Sequence, residues 1–195
     1  MIAYIRGKLV QCQPAFAVVD TGGVAYLLQI SLATYSRLRD QHDVQVLTHM
    51  IVKEDGHYLY GFAEEQERQL FIQLISVNGV GPNTARVILS SLEPSEVRSA
   101  IARGDDTIFK RVKGIGPKTA QRIIIDLKDK VMKEGGQEVL SGIGKTDHRQ
   151  EAMVALQALG FARIQVEQVL RSFGEQDLSI WSLEDLIKNC LKKLS

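Results

Sequence analysis

The sequence predicts an α+β chain of several domains: a small β-barrel first, an all-α centre, a linker, and a bundle of three helices at the end. Three observations predict it. Apolar residues alternate with a period of two through the first part and change to helical spacing from Glu64 onward. A nine-residue motif occurs twice in the helical part, at an offset of 35 residues. A polar stretch bearing Gly135, Gly136, Gly142 and Gly144 divides the helical part in two.

Residues 2–10, 16–19 and 24–30 read as three strands, and Gly22-Gly23 between the second and third suits the positive φ of a tight hairpin turn. Residues 31–38 carry one or two helical turns. Residues 44–53 and 57–62 are two more strands, joined at Glu54-Asp55-Gly56. Five short strands with a helical insert after the third predict a closed barrel of the OB type over 1–62, although a sandwich of two sheets fits the same alternation. In 63–131, Leu70, Phe71, Leu74 and Ile75 set a helical period, and no strand is predicted from there to the end. Residues 132–149 read as a flexible linker. Within 150–195, the segments 151–159, 164–173 and 182–194 predict three helices. Ser182 and Asp185 stand at capping-box spacing before the last of them.

Composition excludes several functions. No window approaches the run of about 18 apolar residues that a membrane span requires. The first ten residues lack the basic-then-apolar layout of a signal peptide, so a cytoplasmic protein is expected. Cys12 and Cys190 read as isolated thiols in a reducing compartment. His42, His49, His57 and His148 are scattered, and no metal site is expected. Net charge is +1, with eleven basic against nine acidic side chains in 63–131 and five against six in 150–195. Any grip on nucleic acid must therefore come from placed groups more than from bulk potential. Gly144-Lys145-Thr146 ends like a nucleotide-binding loop, but Val139 stands where the opening glycine belongs. No ATP binding and no other cofactor is expected of this chain.

The repeat carries the chemistry. Val77-Asn78-Gly79-Val80-Gly81-Pro82-Asn83-Thr84-Ala85 matches Val112-Lys113-Gly114-Ile115-Gly116-Pro117-Lys118-Thr119-Ala120. Each copy lies between apolar-periodic segments, which predicts helix, tight glycine hairpin, helix. Two glycines around one aliphatic residue let the backbone turn sharply and approach a ligand closely. Val80 and Ile115 would tuck between the helices, and Pro82 and Pro117 suit the first position of the second helix. The free N–H groups of each hairpin and helix start then form an anion site, for which phosphate is the natural occupant. The candidate phosphate-binding residues are Gly79, Val80, Gly81, Asn83 and Thr84, and Gly114, Ile115, Gly116, Lys118 and Thr119. Lys113, Arg86 and Arg122 are candidate supporting cations. Contacts of this kind hold the backbone without reading bases, so binding should be independent of sequence. A single such turn is as readily a plain helix connector; two copies at a fixed offset favour DNA.

With these residues the chain resembles the RuvA family. The resemblance rests on the two Gly-aliphatic-Gly-Pro hairpins, on Met1-Ile2-Ala3-Tyr4-Ile5-Arg6-Gly7, on Gly22-Gly23-Val24-Ala25-Tyr26, on Glu54-Asp55-Gly56-His57-Tyr58-Leu59-Tyr60-Gly61-Phe62 and on Glu67-Arg68-Gln69-Leu70-Phe71. It covers the whole chain in domain order and is weakest in the linker and the last domain. It implies a non-catalytic subunit, a four-fold homotetramer that spreads a four-way (Holliday) junction on one face, with one tetramer or two per junction. It also implies two partners: the hexameric ATPase RuvB, which drives branch migration, and the resolvase RuvC at the same junction. The resemblance makes Glu54 and Asp55 an acidic pin and places the RuvB contact around Leu159, Phe161 and Leu170, which otherwise read as core residues. Asn83 departs from the lysine of many relatives and gives up a charged contact.

Two other classes compete. A glycosylase or structure-specific nuclease of the helix-hairpin-helix type needs a catalytic acid after the hairpin. Asp126 and Asp129 stand there but read as solvated charges, Asp126 pairing with Lys130. Glu54 and Asp55 lack further carboxylates at metal-binding spacing. A generic duplex-binding adaptor is the remaining alternative. No catalytic residue is assigned.

Overall fold

The computed structural model describes residues 2–138, 148–174 and 181–194. Five strands form a closed barrel: β1 (Tyr4–Gln13), β2 (Phe16–Asp20), β3 (Ala25–Ile30), β4 (Asp43–Lys53) and β5 (Gly56–Phe62), in the order β1-β2-β3-β5-β4. All neighbours are antiparallel except β3 and β5, which run parallel. Helix α1 (Leu32–Leu38) fills the connection from β3 to β4. This is the OB arrangement, and the sandwich alternative falls because β1 bonds to both β2 and β4 and closes the sheet. The alternation works as expected: Ile5, Ala17, Val19, Leu28, Ile30, Val44 and Val46 point inward and are buried. Gly22 and Gly23 have φ of 94° and 123°, and the Asp20 carboxylate accepts both of their N–H groups at 2.9 and 3.1 Å. Those bonds hold Asp20 below the usual aspartate range.

The helices that follow are α2 (Glu65–Ile75), α3 (Pro82–Ser91), α4 (Pro94–Arg103), α5 (Thr107–Lys110) and α6 (Pro117–Glu138). The sequence reading singles out no helix at α4. It is opened by Pro94 and a reciprocal Glu93–Glu96 capping box, and closed by Gly104 at φ 74°. It packs on α6. The barrel and these helices make one compact unit, Met1–Val139. The join at 62 and 63 carries shared core: Phe71 of α2 stacks on Tyr60 and Phe62 of β5, with ring centroids 4.9 and 5.0 Å apart. Helix α6 runs past residue 131, where the linker is expected to begin, through Gly135-Gly136 to Glu138. Of the rest of the expected linker, 139–147, with Gly144-Lys145-Thr146, lies outside the described residues, and 148–149 already belong to the next helix.

A second compact unit contains α7 (His148–Ala158), α8 (Arg163–Arg171) and α9 (Leu183–Leu194) around Ala152, Leu156, Val166, Leu170, Leu186 and Cys190. Ser182 caps α9: its Oγ accepts from Asp185 N at 3.2 Å and donates to the Asp185 carboxylate at 2.7 Å. Gly160, at φ 96°, ends the turn after α7. Among the described residues no helix is long and apolar enough to cross a membrane.

One buried acid ties the barrel's connecting helix to the helical layer. Glu67 of α2 is 3% exposed and accepts hydrogen bonds from the hydroxyls of Ser31 and Thr34, the latter at 2.6 Å. Burial pushes its carboxyl above the usual glutamate range, with the charge of Glu93 adding, against the two hydroxyl bonds and Arg37. A raised acid binds its proton more tightly when folded, so its contribution to stability falls as pH rises from the usual glutamate value through the folded one. Glu67→Gln should therefore gain stability relative to the wild type between pH 5 and pH 8. Glu67→Ala should lose about 1–3 kcal/mol by leaving the O–H groups of two buried hydroxyls without an acceptor. Urea midpoints of the three proteins at both pH values check this.

Candidate nucleic-acid interface

The two hairpins are built bond for bond alike. Val80 N donates to Val77 O at 3.0 Å, and Ile115 N to Val112 O at 3.1 Å. Ala85 N donates to Gly81 O at 2.9 Å, and Ala120 N to Gly116 O at 3.0 Å. Gly79 and Gly114 take φ of 92° and 91°, a conformation that a side chain resists. Val80 and Ile115 are 4% and 7% exposed within the central core, so each hairpin is anchored by its aliphatic residue and faces outward with its backbone. Pro82 and Pro117 open α3 and α6, and α3 has no side-chain cap, so its first N–H groups are left for an external acceptor.

Gly81 and Gly116 are the informative pair. Gly81 has φ −81°, and Gly116 does not take a positive φ either. A methyl group on either would meet no protein atom within 4 Å. No contact within this chain demands glycine there; glycine caps a helix better than alanine does, and the open space leaves room for close approach by a partner.

Around this backbone, Asn78, Asn83, Lys113, Lys118 and Arg122 are exposed, and Thr84 and Thr119 are half-buried. Lys113, Lys118 and Arg122 make no ion pair among the described residues. Arg86 is placed differently. Its Nη1 donates to Ala15 O at 3.0 Å, so this cation braces α3 against the β1–β2 turn. The two hairpins also differ in what precedes them: α2 spans 11 residues, whereas α5 is a single turn of four. Lys130 reaches Ser76 Oγ at 3.3 Å, and the expected pairing with Asp126 is not among the described ion pairs. Asp126 and Asp129 stay exposed on α6.

Glu54 and Asp55 form the two-residue tip of the β4–β5 hairpin, where Lys53 pairs with Gly56, and both are exposed. Tyr58 Oη donates to Asp55 Oδ2 at 2.8 Å, and Lys53 Nζ lies 5.0 Å from the Tyr58 ring centroid. No group of three or more metal-ligating side chains gathers among the described residues.

In the second unit the three residues expected at a partner surface separate. Leu159 is 61% exposed, Phe161 packs half-buried on the core, and Leu170 is fully buried within it. Leu170 is thereby corrected to a core residue, because it lies on the inward stripe of α8 with Val166. The exposed apolar side chains include Val154 and Ile164, which the sequence reading missed. Their signal was position: Val154 lies off the Ala152–Leu156 core stripe of α7.

A closed OB barrel fused to two matched glycine hairpins between helices is the arrangement of a helix-hairpin-helix DNA-binding protein. Residues 1–61 match the RuvA N terminal domain, 71–129 the SAM-like helix-hairpin-helix tandem, and 147–195 the RuvA C-terminal domain. Similar proteins include the Holliday junction branch migration complex subunit RuvA of Christiangramia forsetii, 46% identical over 194 residues and the full length of both chains. The protein of that name in Flavobacterium psychrophilum is 45% identical over the full length of both chains. That of Cytophaga hutchinsonii is 44% identical, over 98% of this chain and 99% of its own. The chain belongs to the RuvA family.

Proposed function

We propose that this protein is the non-catalytic, junction-binding subunit of a branch-migration complex. It binds four-way junctions without reading sequence, holds their arms apart, and recruits the hexameric RuvB ATPase, which supplies the ATP chemistry. The observation that carries this reading is the pair of matched hairpins, each bonded alike and each with a glycine that no contact within the chain requires. The phosphate-binding set is Gly79, Gly81, Asn83 and Thr84 with Gly114, Gly116, Lys118 and Thr119, mostly through the backbone; Val80 and Ile115, whose N–H groups donate to Val77 and Val112, are the buried anchors of the two turns. Lys113 and Arg122 add charge, whereas Arg86 acts through the barrel.

The working form is a cytoplasmic homotetramer, one or two to a junction, sharing that junction with RuvC. Four Glu54–Asp55 tips around a four-fold axis repel phosphate at the junction centre and disfavour plain duplex across it. The division of labour is a barrel over 1–62, paired hairpins over 63–131, a connection over 132–149 and a motor-binding unit over 150–195. Exposed Val154, Leu159 and Ile164 support that last assignment, with RuvB as the occupant.

Gel shifts on a synthetic four-way junction, matched duplex and single strand test the reading. The wild type should prefer the junction strongly, and Glu54→Gln/Asp55→Asn should cut the junction-to-duplex ratio by at least about tenfold, the equivalent of about 1.4 kcal/mol or more. Equal binding of junction and duplex by the wild type would leave a generic duplex adaptor.

A further inference from the structure

We propose that Tyr58 is a positioning residue for the acidic tip: its hydroxyl holds Asp55 back along β5 and leaves Glu54 as the charge presented to DNA. The inference rests on the junction-binding reading and makes the two acids of the tip unequal.

The geometry has three parts. The turn is as short as a hairpin permits, with Lys53 opposite Gly56 and Ile51 opposite Tyr58. Ile51 and Tyr58 pack together against the central core, so the Tyr58 ring stands on a fixed base. From that base its hydroxyl reaches Asp55 Oδ2 at 2.8 Å, and Lys53 Nζ sits 5.0 Å from the centre of the ring. Asp55 is thus hydrogen-bonded within its own hairpin, in a patch that also holds a cation. Glu54 is exposed and makes no hydrogen bond or ion pair among the described residues. The Tyr58 hydroxyl is pushed above the usual tyrosine range, first by its hydrogen bond to Asp55 and then by the Asp55 charge.

A carboxylate fixed in this way has lost rotamer freedom and cannot swing toward phosphate or away from it. It keeps the tip in one shape. The neighbouring acid, unpaired and solvated, supplies the repulsion. A leucine or valine at position 58 would preserve the strand and leave Asp55 free, so the pairing is a property of this chain's tyrosine.

The experiment measures junction and duplex affinity for the wild type, Glu54→Gln, Asp55→Ala, Tyr58→Phe and Tyr58→Phe/Asp55→Ala. Phenylalanine keeps the ring, its core contact and the lysine beside it, so thermal stability should not change. Glu54→Gln should lower the junction-to-duplex ratio by about tenfold, and Tyr58→Phe and Asp55→Ala by about threefold each, as expected for one exposed charge-assisted hydrogen bond. The double variant should be no worse than Asp55→Ala alone. In carbon-13 tyrosine spectra the Tyr58 phenol should titrate lower in Asp55→Ala than in the wild type, which a purely structural tyrosine would not do. Additive effects, an inert Tyr58→Phe, or an unmoved phenol would overturn the inference while a junction-preferring wild type keeps the functional reading intact. A wild type without junction preference would overturn both.

Discussion

Replacing Gly81 and Gly116 together by alanine should lower junction affinity by about 100-fold or more and leave the protein folded at 25 °C. On the proposed reading each hairpin offers N–H groups to a phosphate, and a hydrogen bond to a charged group contributes about 1.5–3 kcal/mol, or roughly tenfold to a hundredfold in affinity. A methyl group at these positions would meet no packed neighbour within 4 Å, but on the proposed reading it stands where the phosphate comes. Alanine is a poorer helix cap than glycine, so a loss of up to about 1 kcal/mol per site is expected. Serine at the same positions restores the cap and keeps the obstruction. It should therefore show the binding loss without the stability loss. Alanine at Gly114 would mix two effects, because φ there is 91° and a side chain adds strain of its own. Filter binding and thermal melts on the two double variants separate the terms, and junction affinity retained in both would reduce the hairpins to helix connectors.

Phe71→Ala should destabilise the first unit by about 3–5 kcal/mol, the range for removing a fully buried aromatic ring. Phe71 is fully buried and touches Tyr60, Phe62 and His49, with centroids 4.9, 5.0 and 5.9 Å away. It is the ring on which the end of the barrel meets α2. The cost should therefore not be confined to the helices: strand and helix signals should be lost in one urea transition, at a lower midpoint than in the wild type. Circular dichroism at strand-sensitive and helix-sensitive wavelengths checks this, and two separated transitions would show that the barrel and the hairpin helices fold apart.

Much of the site was legible before any coordinates. A hairpin that binds by its backbone needs glycine, an aliphatic anchor and proline in fixed order, and such local requirements are written in consecutive residues. Val80, Ile115 and the positive φ of Gly79 and Gly114 follow from that order. The strands were legible for the same reason, since a period of two needs only one buried face. Arg86 and Tyr58 were not legible in this way. Each depends on a partner that the chain brings near by folding: Ala15 for Arg86 and Asp55 across a turn for Tyr58.

By itself the sequence determined the strands, the two glycine hairpins, the acidic tip and the family, though not the helices α4 and α5. Those are set by local backbone requirements and hydrophobic period, which neighbouring residues satisfy alone. Only the tertiary structure decided that the sheet closes as a barrel through β1 and β4, and that Phe71 and Glu67 weld that barrel to the helices. The tertiary structure also decided which cations stay free and which acid of the tip is held. These outcomes depend on side chains distant in sequence competing for the same few partners, and spacing along a chain does not encode which of them wins.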